Sequence, residues 1–240
     1  INSIAAICEV TGADIKEVSR AIGSDSRIGS KFLTSGPGFG GSCFKKDILN
    51  LVYLCKFFDL DEVANFWESV VDLNNWHQSR ISNLIVKKLF GTVSGKKICI
   101  LGFAFKANTN DTRESAAIKI CNDLLNEGAI LYIHDPKVDA KQISEVLNSR
   151  EEQNTKHLQE EIDSDQKKSW YVTENIFEGL NCADAAVILT EWMEYSKIDW
   201  RKASEIMRKP SWVFDTRSIT CGNDVLKNGI NLWRIGDGTI

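Results

Sequence analysis

The sequence predicts an α/β protein in two parts, an all-helical segment with a long connecting helix and then a doubly wound parallel-sheet domain. Three observations lead there. Apolar residues recur at helical spacing through the first 90 positions, with no stretch of strict alternation. After Gly91–Gly95 the period changes, and short apolar runs bounded by glycine begin, as in buried parallel strands. Those runs then alternate with helical patterns, the rhythm of βαβ units and of Rossmann-like domains. The expected division is 1–58 helical, 59–94 connecting helix, and 95–240 sheet domain.

Taken in order, Ile1, Ile4, Ala5 and Cys8 form one helical face that is already under way at the first residue, and Gly12 ends it. With no initiating Met and no N-cap, the chain is expected to be a fragment cut inside an element. Asp14 with Glu17 makes a capping-box pattern for a second helix, which carries Ile15, Val18 and Ile22 and stops at Gly23. Residues 24–42 read as loop. From Phe44, the positions Ile48, Leu51, Val52 and Cys55 hold helical spacing, and Ser42 is a favoured N-cap, which puts Cys43 in the first helical turn. Asp59 and Glu62 suggest the start of the next helix, whose stripe runs from Val63 through Asn74, His77 and Ile81 to Leu89. His77 has no partner cluster in sequence and reads as structural.

In the second part, 97–102 is a strand and 130–134 another, with a helix carrying Ile118, Cys121 and Leu124 between them. Only Gly102 follows the first strand, so the G-x-G-x-x-G of a dinucleotide site is missing, and Asp135 lacks the glycines that would support a ribose role. Residues 139–169 are polar and charged, an amphipathic helix followed by a mobile insertion. The αβ rhythm resumes with a helix at 175–180, a strand at 185–189, a helix at 200–207, and strands at 212–214 and 232–235.

Composition narrows the function classes. The chain has 240 residues, 43% hydrophobic and 26% charged, with a net charge of −4. That balance argues against a nucleic-acid or anionic-membrane partner, and no apolar run approaches the roughly 20 residues of a membrane span. Seven scattered cysteines, with no C-x-x-C pair and no His clustering, predict reduced thiols in a cytoplasmic protein and neither a disulfide frame nor a metal site.

The stretch with most chemistry is Gly36 to Asp47, with four glycines in its first six residues. Glycine allows close backbone approach to a ligand. A cysteine at a helix start, flanked by Lys45 and Lys46, sits where a thiolate nucleophile is favoured. The string GFGGSCFKKD resembles the catalytic-cysteine motif of the nucleotide-sugar dehydrogenases, above all the members that oxidise UDP-glucose. INSIAAICEVTGAD, SRIGSKFL, DILNLVYLC, ILGFAFKANTNDTRES, DPKV, ILTEW and FDTR resemble further stretches of that family in the same order, so the likeness covers essentially the whole chain.

The resemblance implies an NAD-dependent, two-step oxidation of UDP-glucose to UDP-glucuronate, with NAD held mainly by an N-terminal domain that precedes this chain. It makes Cys43 the nucleophile, through a thiohemiacetal and a thioester, and Asp47 the group that orients water. It assigns Phe32, Gly38, Phe39, Gly40, Phe105, Lys106 and Arg217 to the UDP-sugar, Arg27 to substrate in a neighbouring subunit, and Arg113 to the cofactor. It also implies a homo-oligomer, dimeric through the helical domain. The chain departs from the family pattern at Thr34, where a lysine is expected, at Pro37, where a small apolar residue is commoner, and at Thr216, where glycine is usual. Alternatives are GDP-mannose or UDP-N-acetylmannosamine as substrate, the latter disfavoured by Ser42, or a non-catalytic UDP-sugar-binding or dimerisation module.

Overall fold

The computed structural model describes the backbone of residues 1–155 and 169–239, with side chains for 1–147 and 169–239. Four helices come first: α1 (Asn2–Thr11), α2 (Ile15–Gly23), α3 (Phe44–Phe57) and α4 (Asp61–Lys88). There follow β1 (Lys97–Leu101), α5 (Ala116–Asn126), β2 (Ile130–His134), α6 (Ala140–Thr155), β3 (Trp170–Val172), α7 (Ile176–Leu180) and β4 (Ala185–Ile188). A 3-10 turn (Tyr195–Lys197), α8 (Trp200–Ile206), β5 (Trp212–Asp215), α9 (Gly222–Lys227) and β6 (Asn231–Arg234) complete the chain. Among the described residues the strands form one six-stranded sheet in the order β3-β2-β1-β4-β5-β6, parallel at every pairing. The mixed α/β class and the doubly wound sheet are therefore as the sequence predicts.

Period-2 geometry explains how the sheet is sandwiched. In β1, Ile98 and Ile100 join a core shared with α1, α2, α5 and the C-terminal half of α4. Cys99 and Leu101 point the other way, into a core with Trp200, Ala203 and Val225. The same alternation divides Ala185 and Val187 from Ala186 and Ile188 in β4. A smaller cluster, Ile48, Val52, Cys55, Ala64 and Val71, joins α3 to the start of α4. With 28 residues, or about 42 Å at 1.5 Å per residue, α4 reaches from this cluster into the sheet core through Ile81, Ile85 and Leu89. The C-terminal tail closes on the helices: Ile15 donates to Gly236 O at 2.8 Å, and Gly238 to Ala13 O at 2.9 Å.

Two local readings need correction, and two elements were not anticipated. Helix α3 begins at Phe44, and Cys43 is its N-cap, with φ −103° and ψ −52° and no side-chain capping bond. Its carbonyl accepts Asp47 N–H at 2.8 Å, so the thiol stands at the helix mouth, one position before the first turn. Asp59 does not cap α4. It adopts φ 57° and closes α3 by the left-handed route: Leu60 N–H returns to Cys55 O at 2.9 Å and Asp59 N–H to Lys56 O at 3.3 Å. Strand β3 and helix α9 carry too short an apolar pattern to be read from sequence. The helix expected after 139 is α6, and the insertion expected after it lies largely outside the described residues.

Among the described residues no helix is long and apolar enough to cross a membrane. No disulfide joins the cysteines; Cys8, Cys55, Cys99 and Cys121 are buried, while Cys43, Cys182 and Cys221 are exposed.

Candidate active site at the Cys43 turn

The glycine-rich turn, residues 36–42, is held between α4 and the loop that follows β1. On the α4 side Asn74, His77 and Gln78 share one face at helical spacing, and all three are buried. Asn74 Oδ1 accepts Phe39 N–H at 2.9 Å while its Nδ2 donates to Phe39 O at 3.2 Å. His77 Nε2 lies 2.9 Å from Gly36 O and donates to it, which leaves Nδ1 without a hydrogen-bond partner. Burial lowers the His77 pKa to about 4, so the ring is neutral near pH 7. Gly38, at φ 135°, has no room for a side chain: a Cβ there would stand 2.9 Å from Asn74 Oδ1.

The opposite side is contributed by the sheet domain. Gly41 N–H donates to Arg113 O at 2.9 Å. A Cβ on Gly40 would fall 2.3 Å from Glu114 O, so the two backbones touch there and only glycine fits. The Phe105 ring covers Gly41, and Lys45 pairs with Glu114 at 2.8 Å. Between the two supports opens a cavity of about 760 Å³, whose wall includes Phe32, Thr34, Phe39, Cys43, Phe105 and Arg217. It lies by the carboxyl ends of the strands, where open α/β sheets receive ligands.

Arg217 leaves the end of β5 and is anchored on three carbonyl or carboxylate groups. Nε donates to Leu189 O at 2.8 Å, Nη2 to Phe105 O at 3.1 Å, and Nη1 stands 3.1 Å from Glu191 Oε2. Burial lowers its pKa from the ordinary arginine value, with Glu191 and Asp215 opposing that shift. The buried Asp215 carboxylate fixes the start of this loop, accepting Arg217 N–H at 3.0 Å and both Thr220 N–H and Oγ1–H. Thr216, the residue in place of glycine, has no positive φ, is fully buried and donates its hydroxyl to Ile188 O at 2.6 Å. The added Cβ therefore brings no backbone strain at Thr216 itself, and the left-handed residue of the loop is Ser218, at φ 54°.

Of the residues singled out in the sequence, Cys43, Phe32, Gly38, Phe39, Gly40, Phe105 and Arg217 share this cavity wall. Four others stand outside it. Asp47 is exposed one turn along α3, and Lys106 is exposed with Nζ 5.3 Å from the Phe105 ring centroid. Arg113 is paired to Asp111 at 2.8 Å, an interaction that lowers the Asp111 pKa. Arg27 is exposed and paired to Asp25 at 2.6 Å. Asn74 and Glu191 went unassigned in sequence. The available signal for Asn74 was a polar residue within an otherwise apolar helical stripe, beside His77.

No dinucleotide cradle forms at the end of β1. The Asp135 carboxylate accepts Phe103 N–H at 2.7 Å and Ala104 N–H at 3.0 Å, so the amides that would meet a pyrophosphate are already bound.

Residues 1–76 match the model described as the central domain of the UDP-glucose/GDP-mannose dehydrogenase family, and residues 99–221 match that family's UDP binding domain. The chain is 47% identical over 236 residues to UDP-glucose 6-dehydrogenase of Drosophila melanogaster, covering 98% of this chain and 48% of that protein. It is 43% identical over 241 residues to UDP-glucose 6-dehydrogenase 2 of Oryza sativa subsp. japonica, covering 98% and 49%. The solved structure of a UDP-glucose dehydrogenase from Pyrobaculum islandicum shares the fold with a TM-score of 0.74 at 24% identity, over 98% of this chain and 46% of that one. The chain thus spans about half the length of the curated relatives it matches. The central-domain match takes in the Cys43 turn and Asn74, the UDP-binding match takes in Phe105, Glu114 and Arg217, and the chain belongs to the UDP-glucose/GDP-mannose dehydrogenase family.

Proposed function

We propose that this chain is the part of an NAD-dependent UDP-glucose 6-dehydrogenase that binds the nucleotide sugar and supplies the covalent nucleophile. The observation that carries the reading is the single cavity on which Cys43, from the helical part, and Phe105 and Arg217, from the sheet part, converge. The 47% identity to a UDP-glucose 6-dehydrogenase supports the choice of sugar nucleotide. With it goes a division into a helical, self-associating region 1–58, a connecting helix 59–94 and a UDP-sugar domain 95–240.

When bound, NAD accepts the hydrides of the oxidation. The described residues do not fit it beyond Arg113, because Asp135 fills the place a pyrophosphate would need. The role of this chain is covalent and electrostatic. Cys43 Sγ bonds to the C6 aldehyde carbon, whose oxygen takes up the thiol proton, giving a thiohemiacetal. After oxidation of that adduct to the thioester, water attacks the carbonyl and the C–S bond breaks, releasing carboxylate and regenerating the thiol. Arg217, in the cavity wall, offers the nucleotide diphosphate a cation. Asp47 and Lys106, exposed and outside that wall, are assigned to the water and to the diphosphate by the family resemblance alone.

The test uses the full-length gene product that contains this chain. UDP-glucose should bind calorimetrically, and NADH and UDP-glucuronate should form in a 2:1 ratio. Preference for GDP-mannose, or binding without turnover, would sink the reading.

A further inference from the structure

Resting on the reading of Cys43 as nucleophile, we propose that Glu114 is a positioning residue that brackets the cysteine turn and locks it to the nucleotide-side loop. The juxtaposition is specific. Glu114 adopts φ 53°, a left-handed conformation uncommon for a residue with a side chain. Its backbone carbonyl lies against Gly40, three residues before Cys43, where there is no space for a Cβ. Its carboxylate takes Lys45, two residues after Cys43, at 2.8 Å. The preceding carbonyl, Arg113 O, accepts Gly41 N–H at 2.9 Å. One residue therefore grips the turn on both sides of the thiol, by backbone on one flank and by charge on the other.

The same loop begins at Phe105, in the cavity wall, and Phe105 N–H is tied to Asp111 O at 3.1 Å. A ligand seated against Phe105 and the thiol at Cys43 thus rest on one continuous piece of backbone. The plain alternative is an ordinary surface ion pair, since the Lys45 and Glu114 side chains are 32% and 50% exposed. Such a pair would leave the Gly40 and Gly41 contacts indifferent to its loss. The latch makes them depend on it.

Hydrogen exchange separates the two. On this chain, Glu114→Gln and Lys45→Met should each speed exchange of the Gly41 amide by about twofold to fivefold, the equivalent of an exposed ion pair. The exchanged pair Lys45→Glu with Glu114→Lys should return it toward the parent rate. In the full-length gene product, Glu114→Gln should lower kcat by at least that factor while the UDP-glucose dissociation constant stays unchanged. Parent-like Gly41 exchange in both single variants, failure of the exchanged pair to restore it, or a change confined to affinity would each overturn the proposal. If the parent gene product does not oxidise UDP-glucose, the functional reading fails, and the exchange rates still decide the latch.

Discussion

Asn74 and Phe39 face each other as two strands would, with the Asn74 amide accepting from the Phe39 N–H at 2.9 Å and donating to its carbonyl at 3.2 Å. One side chain on α4 thereby satisfies both polar groups of a loop residue four positions before Cys43. Because Asn74 is only 7% exposed, water cannot readily replace it.

Asn74→Ala should therefore destabilise the fold by about 1–3 kcal/mol, the cost of leaving the partly buried Phe39 backbone groups unpaired. Asn74→Asp keeps the acceptor but sets a carboxylate against the Phe39 carbonyl, and should be at least as damaging near pH 7. Urea unfolding of the two variants checks this. A loss below about 0.5 kcal/mol for both, within the scatter of surface substitutions, would show that the turn is held without Asn74.

His77 gives the turn a pH dependence. Its folded pKa is about 4 because burial disfavours the cation, against an ordinary value of 6.5. Below pH 6.5 the unfolded chain binds a proton that the folded one refuses, so stability is full above pH 6.5 and falls as pH drops toward 4. The loss attributable to His77 is up to about 3 kcal/mol. His134, also lowered by burial, adds to the slope with the same sign. His77→Gln retains a donor for Gly36 O without titrating, and should flatten only part of the profile between pH 4 and 6.5. An unchanged slope would mean that the ring is not held neutral.

The two supports of the turn were unequally legible in the sequence. Glycines at 38, 40 and 41 marked a close backbone approach, and the helical stripe of α4 was plain from its spacing. Both follow from local periodicity and sterics. What met Gly40 was not legible, because Glu114 lies 74 positions away and its left-handed backbone is imposed by the docked loop. Thr216 shows the converse. Sequence alone raised the cost of a Cβ in place of glycine, whereas the hydroxyl finds Ile188 O and Thr216 itself needs no unusual φ. Cys43 was misplaced by one position for a related reason: Ser42 has the better capping chemistry, but the Asp47 amide is drawn to the Cys43 carbonyl.

The α3–α4 pair leaves Tyr53, Phe57, Phe58 and Phe66 each about two thirds exposed, with the Phe57 and Phe58 rings 5.1 Å apart. We expect these side chains to be covered by a second copy, as the proposed function requires. Sedimentation should show self-association at micromolar concentration, and Phe57→Glu with Phe66→Glu should shift it at least tenfold toward monomer. A strictly monomeric parent would refute this.

Cys43 and Arg217 line the same cavity, yet their loss should leave opposite signatures in the full-length gene product. Cys43→Ser keeps the exposed helix mouth and a group of similar size but removes the soft nucleophile, so UDP-glucose binding should survive. The thioester can form only from a covalent adduct, so UDP-glucuronate should fall by orders of magnitude. Arg217→Ala removes a cation from the wall and strips donors from Leu189 O and Phe105 O. Affinity for UDP-glucose should weaken by about 1.5–3 kcal/mol, or roughly 10-fold to 150-fold, for a charge-assisted contact. Because Arg217 also braces the fold, Arg217→Lys supplies the control: it retains the charge and loses the fork, and should recover part of the affinity without restoring the full melting temperature. Calorimetric titration beside product analysis reads all three variants. Near-normal carboxylate production by Cys43→Ser would remove the thiol from the chemistry and leave the glycine turn a structural joint between helix and sheet.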